Sequence, residues 1–277
     1  MLLWEIIKAA LLGILEGITE WLPVSSTGHL ILLNEVLKLQ VTPEFWEMFD
    51  VVIQLGAILA VVVLYFSRLN PFAPSKTPEE KKATWRLWFH VLAGVIPSAV
   101  IGLLLDDWFN DHFYNALTVA VTLILYGVTF IVIERCVRPA VRANEPGDIT
   151  YRQALEVGGF QALSIIPGTS RSGSTIIGGL LCGVSRPAIA EFSFFMAIPT
   201  MVGASLLKTV KFFAGGNTVD AAGWVLLFVG CVVAFGVSLL VIRALVDYVR
   251  RHTFIPFGIY RIMLGVVVLA VYFLRRA

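Results

Sequence analysis

Six stretches of this chain, 48–67, 87–105, 116–134, 188–208, 222–242 and 254–274, are each about 20 residues long and almost wholly apolar. That is the length an α-helix needs to cross a bilayer's hydrocarbon core, about 30 Å at about 1.5 Å per residue. Water is absent at that depth, so backbone N–H and C=O groups must be satisfied within the segment, and such a chain folds as a bundle of membrane helices. The composition agrees. Of 277 residues, 58% are hydrophobic and only 14% are charged, against about 25% charged in a soluble domain. Lys+Arg number 21 and Asp+Glu 19, which leaves no basic excess for nucleic acid. A soluble enzyme, a disordered chain and a nucleic-acid binder are therefore excluded. The 23 glycines and 12 prolines suit membrane helices. Cys136, Cys182 and Cys231 have no paired spacing and read as small buried hydrophobes, not as a disulfide framework or a zinc site.

Two further regions, 1–39 and 151–185, are apolar but interrupted. In the first, runs 6–15 and 29–39 flank EGITEWLPVSSTG; in the second, runs 154–166 and 175–184 flank PGTSRSGS. Each run is too short to span, so both regions are expected to be re-entrant hairpins, a fold tolerated only where protein or a wet cavity surrounds the turn. Glu5 and Glu16 interrupt the N-terminal run and no small-x-small cleavage site follows, so this segment is expected to belong to the mature fold and not to a signal peptide.

Cationic loops set an expected orientation. Arg68, Lys76, Lys81, Lys82 and Arg86 fall in 68–86, and Arg135, Arg138, Arg142 and Arg152 in 135–152; Arg243, Arg250 and Arg251 follow the fifth span. The 106–115 loop carries Asp106, Asp107 and Asp111 and no Lys or Arg. The positive-inside rule places the cationic loops in the cytoplasm and 106–115 outside, with both termini outside. Lys208, Lys211, Arg275 and Arg276 count mildly against it.

The halves also repeat. At an offset of 145, Glu16 meets Gln161, Ser25 meets Ser170, Thr27 meets Ser172 and Gly28 meets Gly173; at 147, Glu44-Phe45 meets Glu191-Phe192 and Gly56-Ala57 meets Gly203-Ala204. One hairpin plus three spans per half is an odd number of crossings, so the second copy starts from the opposite side. The expected fold is an all-α integral membrane protein, a single polytopic domain over 1–277, with six spanning helices and two re-entrant hairpins. It is an inverted-topology repeat, copy one about 1–140 and copy two about 151–277, whose polar turns approach one another near the midplane.

Chemistry concentrates on those turns. Glu16 and Glu20 are spaced i, i+4 on one helical face, and ionisable groups at membrane depth are candidate functional groups; acids at a watery helix end are the alternative. Ser25, Ser26 and Thr27 could also serve helix packing, and His29 could be structural. The second turn sets Arg171 among Ser170, Ser172, Ser174 and Thr175 with Gly168 and Gly173, just before a helix. Phosphate calls for this set: a bidentate cation, hydroxyl donors and helix N-terminal N–H groups. An ion pair holding the loop is the alternative for Arg171. Structural ion pairs or helix-end positions account for Asp50, Glu191 and Arg261, and solvated interfacial positions for His90, His112 and His252.

With EGITEWLPVSSTGHL at 16–30 and PGTSRSGST at 167–175, the chain resembles the bacterial undecaprenyl-diphosphate phosphatases, also called bacitracin-resistance proteins. VVIQLGAILAVVV at 51–63, GVSRPAIAEFSF at 183–194 and FIPFGIYR at 254–261 extend the resemblance over essentially the whole chain. It implies hydrolysis of undecaprenyl diphosphate to the monophosphate carrier used in peptidoglycan synthesis. It places the family's E-x-x-x-E motif on Glu16 and Glu20, its serine-rich turn on Ser25 to His29, and its phosphate motif on Pro167 to Thr175. A divalent cation, a location in the bacterial cytoplasmic (inner) membrane and a site open to the outer face are also implied.

On that footing Arg171, with Ser170, Ser172, Gly173, Thr175 and local N–H groups, is expected to hold the diphosphate, with Ser25 and Thr27 as further contacts. Ser26 is the candidate nucleophile or the hydroxyl that positions water, and His29 a base or acid. Glu20 orients His29 or, with Glu16, holds Mg²⁺ or Ca²⁺. The other lipid-phosphatase class uses a histidine nucleophile, and Ile177 stands where it would fall. Expected partners are the polyprenyl diphosphate and membrane lipids, with no nucleic acid; a homodimer is left open. The rival readings are a secondary transporter or flippase of a polyprenyl phosphate and a structural scaffold.

Overall fold

The computed structural model describes residues 2–137 and 139–274, without the side chains of Asp106, Asp107 and Asn110. The orientation argument's use of Arg138, Arg275, Arg276 and the Asp106 and Asp107 side chains lies outside these residues. In chain order the α-helices are α1 (Leu2–Thr19), α2 (Ser26–Leu37), α3 (Pro43–Leu64), α4 (Phe66–Leu69), α5 (Pro78–Phe113), α6 (Ala116–Cys136), α7 (Tyr151–Ala162), α8 (Arg171–Leu181), α9 (Arg186–Ala214), α10 (Ala221–Val249) and α11 (Ile255–Leu274). Among the described residues the one β feature is an isolated bridge between Ala143 and Val184.

Local chemistry sets the helix starts. Thr42 accepts a hydrogen bond from the Phe45 N–H with Pro43 in the first turn of α3, and Asn115 accepts from the Thr118 N–H to open α6. Thr150 and Gln153 form a reciprocal capping box at α7. The six expected spans appear as α3, α5, α6, α9, α10 and α11, each long and apolar enough to cross a membrane. The stretch 106–115 is not a loop: α5 runs on to Phe113 because no Gly or Pro stops it, and the chain turns at Asn115. The interrupted regions form helix pairs, α1 with α2 and α7 with α8. At 12 and 11 residues, α2 and α8 are too short to span. α1 reaches 18 residues, beyond its apolar run, and its buried Lys8 is satisfied by Glu5 at 2.9 Å and by the Lys38 carbonyl at 2.9 Å.

Two compact units are interleaved along the chain. The first comprises Met1–Trp21, Ser26–Phe66 and Ala197–Ala244; the second comprises Leu22–Ser25, Ser67–Met196 and Leu245–Ala277. In the first unit Phe45, Met48, Phe49, Ile53, Phe212 and Leu226 are buried in one core. Lipid tails are as apolar as these side chains, so close backbone contact carries much of the specificity. A Cβ on Gly56 would run into the carbonyl of Cys231, whereas one on Gly203, its counterpart in the repeat pattern, meets nothing. Gly56→Ala should therefore destabilise by about 1–3 kcal/mol through overpacking, and Gly203→Ala should be neutral or gain up to about 1 kcal/mol in helix propensity. Thermal unfolding in detergent reads both.

In the second unit α6 packs along α11, where a Cβ on Gly127 would meet the Gly258 carbonyl at 2.6 Å. Arg68 pairs with Glu191 at 2.5 Å and Arg186 with Glu134 at 2.5 Å, so an ion pair does account for Glu191. His90 is buried, its ring 4.2 Å from that of Tyr151, and is not a solvated interfacial histidine. The cysteines are free as expected, but Cys136 at the end of α6 is exposed and not buried.

Candidate active site

The end of α1 carries the carboxylates, Glu16 in its last turn and Glu20 just past Thr19. The Glu20 N–H donates to the Glu16 carbonyl at 3.0 Å, so the helical spiral continues through both residues and keeps them one turn apart. Both are buried. The chain then breaks at Pro23, which ends the helix, and restarts at Ser26. Ser26 Oγ donates to Glu20 Oε2 at 2.6 Å, a short bond between buried groups. His29 lies three residues on, one turn along the same face of α2, and is buried as well. Glu20 thus engages Ser26, a contact that helical spacing alone does not indicate.

The tip between these groups, Leu22–Ser25, packs as part of the second unit. Ser172 Oγ donates to the Leu22 carbonyl at 3.2 Å, which ties the tip to the 167–175 turn. That turn opens α8 with Ser170 as cap: its Oγ accepts from the Gly173 N–H at 3.1 Å and lies 3.1 Å from Ser172 Oγ. Ser25 and Ser170 each hold left-handed backbone, φ 75° and 74°, immediately before their helices. Such geometry in a non-glycine residue costs about 1–3 kcal/mol and clusters at functional sites.

Arg171 is the first residue of α8. Its Nη1 donates to the Ser193 carbonyl at 2.7 Å and to Ser193 Oγ at 3.1 Å, and Thr175 Oγ1 lies 2.6 Å from the same hydroxyl. The guanidinium is thereby oriented beside a helix N-terminus, where the macrodipole and amide donors favour an anion. Thr175 serves this orientation, and the Gly173 N–H is taken by Ser170; Thr27 is half-buried on α2.

Ser193, Tyr126 and Arg261 contact these turns, and the sequence alone does not mark them. Ser193 is one hydroxyl in the apolar run AEFSFF, where helix packing is the ordinary explanation. Tyr126 accepts from Ser174 Oγ at 3.3 Å. Burial pushes the Cys182 thiol up to about 12, so it offers no thiolate at neutral pH.

No group of three or more His, Cys, Asp or Glu gathers as a metal site among the described residues. Mg²⁺ is commonly held by one or two carboxylates together with substrate phosphates, and the Glu16 and Glu20 pair fits that donor set.

A profile of the family described as "Bacitracin resistance protein BacA" matches residues 9–267. The chain is 54% identical over 270 residues to the undecaprenyl-diphosphatase of Enterococcus faecalis, covering 97% of this chain and 98% of that one. It is 55% identical over 266 residues to that of Lactiplantibacillus plantarum (96% and 97% covered) and 54% over 273 residues to that of Lactococcus lactis subsp. cremoris (96% and 96% covered).

Proposed function

The chain belongs to the bacitracin resistance protein BacA family, and from that membership we propose that it hydrolyses undecaprenyl diphosphate to undecaprenyl phosphate and inorganic phosphate. It is a multi-pass membrane phosphatase that recycles the lipid carrier of cell-wall synthesis, an activity that supports resistance to bacitracin. The observation that carries the reading at the level of residues is the Ser170-capped start of α8, with Arg171 oriented by Ser193.

In this reading Arg171 and the first N–H groups of α8 take the terminal phosphate and stabilise charge on its oxygens in the transition state, and the hydroxyls of Ser170 and Ser172 rotate from their mutual and Leu22 bonds to donate to it. Ser25 and Thr27 add contacts from the first turn. Ser26 attacks phosphorus or aligns the water that does, and Glu20, at 2.6 Å, accepts the proton. The leaving group is itself a phosphate, whose second ionisation lies at about 6. It departs as an anion, so neutralising charge matters more than protonating the leaving oxygen, and His29 is freed for activating water. A divalent cation bound by Glu16 and Glu20 would supply further charge neutralisation at the phosphates.

The inverted-repeat reading draws support from the backbone. Ser25 and Ser170, and Lys38 and Gly183, are paired at the offset of 145, and all four have positive φ. Within their own units Gly13 abuts Gly230, and Gly158 abuts Gly94. The hairpin helix of each half therefore packs on the second span of the other. The cationic loops argue for 68–86 inside, and family membership argues for the bacterial cytoplasmic membrane and a site open to the outer face.

Purified protein in detergent micelles, with Mg²⁺ or Ca²⁺, should release one phosphate per polyprenyl monophosphate formed. Micelles hold no gradient, so a transporter or flippase would show nothing. Absence of release would overturn the phosphatase reading.

A further inference from the structure

Arg261 on α11 is fully buried and, among the described residues, has no carboxylate partner. The ion pair or helix-end position expected from sequence is not what holds it. Its Nη1 donates to the Pro23 carbonyl at 3.0 Å, and its Nη2 donates to the carbonyls of Gly168 at 2.7 Å and Thr169 at 3.0 Å. The guanidinium lies over the Tyr126 ring, 5.3 Å from its centroid. All of these residues belong to the second unit.

Both turns interrupt helices, and an interrupted helix leaves carbonyls that need a donor. In a buried setting water cannot be relied on to supply it. A guanidinium has five N–H donors in one rigid plane and so can serve carbonyls on two separate segments at once. The same group passes beneath the first turn of α8, since a Cβ on Gly173 would sit 3.2 Å from Arg261 Nη1. A side chain at that position would press on the pin.

We propose that Arg261 is a positioning residue of the phosphatase. It pins the Leu22–Ser25 tip and the 167–175 turn into one frame, so that Ser25, Ser170 and Ser172 present their groups to a single phosphate. The inference rests on the phosphate-binding reading of α8. Arg261 does not touch substrate; it acts through the backbone of the two turns.

The test uses the full chain in detergent, comparing wild type with Arg261→Lys and Arg261→Met. Arg261→Lys should fold, with kcat lowered about 10- to 100-fold and KM changed less than about threefold, because misalignment costs the transition state more than ground-state binding. Arg261→Met should lose more. Without substrate, hydrogen–deuterium exchange in Arg261→Lys should rise in peptides covering 20–27 and 166–176 and stay unchanged in α3 and α10. Unaltered kcat, unaltered exchange in either turn, or a raised KM with intact kcat would overturn the proposal, the last in favour of direct contact. Failure of both variants to fold would overturn it in favour of a purely structural role. If wild type itself released no phosphate, the activity reading would fail, while the exchange experiment would still judge the pin.

Discussion

Arg171→Lys should lower kcat by about 10³-fold while the protein unfolds within a few degrees of wild type. The charge survives in this variant, so long-range attraction for the diphosphate survives with it. What is lost is the planar fork, which presents N–H donors to phosphate oxygens while Nη1 rests on the Ser193 carbonyl and hydroxyl. Guanidinium groups placed on a transferring phosphoryl group are worth about 10³–10⁵ in kcat. A lysine ammonium is a point charge on a flexible stem and would reach Ser193 or the substrate, not both. KM should therefore change less than kcat. Ser193→Ala is the graded companion: Arg171 keeps its fork but loses one of its two anchors, and the fall should be about tenfold. Phosphate release paired with thermal unfolding reads both variants. Near-normal turnover in folded Arg171→Lys would reassign Arg171 to holding the turn in place.

The spans were legible because a bilayer imposes one length and one polarity on any helix that crosses it, and 116–134 or 254–274 admits no other reading. The interrupted regions were legible for the opposite reason, since Pro23 and Pro167 with their polar neighbours cannot continue a spanning helix. Helix ends were less so. Nothing in the run Asp106 to Phe113 forbids helix, and charge alone does not stop one, so α5 outran its expected end. Glu20, Ser26 and Arg171 stood out because charge and hydroxyls are costly among apolar residues. Their partners did not. Ser193 and Arg261 lie in apolar spans far along the chain, and only the folded backbone reveals that one orients Arg171 and the other holds two turns. Assigning Glu20 to Ser26 likewise required the kink at Pro23, because helical spacing alone puts Glu20 nearest Glu16.

Ser26→Ala should lower turnover by about 10⁴-fold or more if Ser26 is the nucleophile, and by about 10²–10³ if the hydroxyl only aligns water. The nucleophilic course has a definite balance. A bond forms from Ser26 Oγ to the terminal phosphorus, the bond from that phosphorus to the bridging oxygen breaks, and Glu20 takes the hydroxyl proton. Water then cleaves the phosphoserine and releases inorganic phosphate. Acid quench of a substrate labelled at the terminal phosphate should trap label on Ser26, with a burst of undecaprenyl phosphate preceding steady turnover. Glu20→Gln keeps the shape but cannot accept the proton, and should cost about 10²–10⁴. Because Ser26 and Glu20 act as one unit across 2.6 Å, the double variant should be scarcely worse than Ser26→Ala. Additive losses would mean that Glu20 works elsewhere, on a cation with Glu16. A folded Ser26→Ala enzyme within about tenfold of wild type would remove the hydroxyl from the chemistry and leave Glu20 acting on water directly.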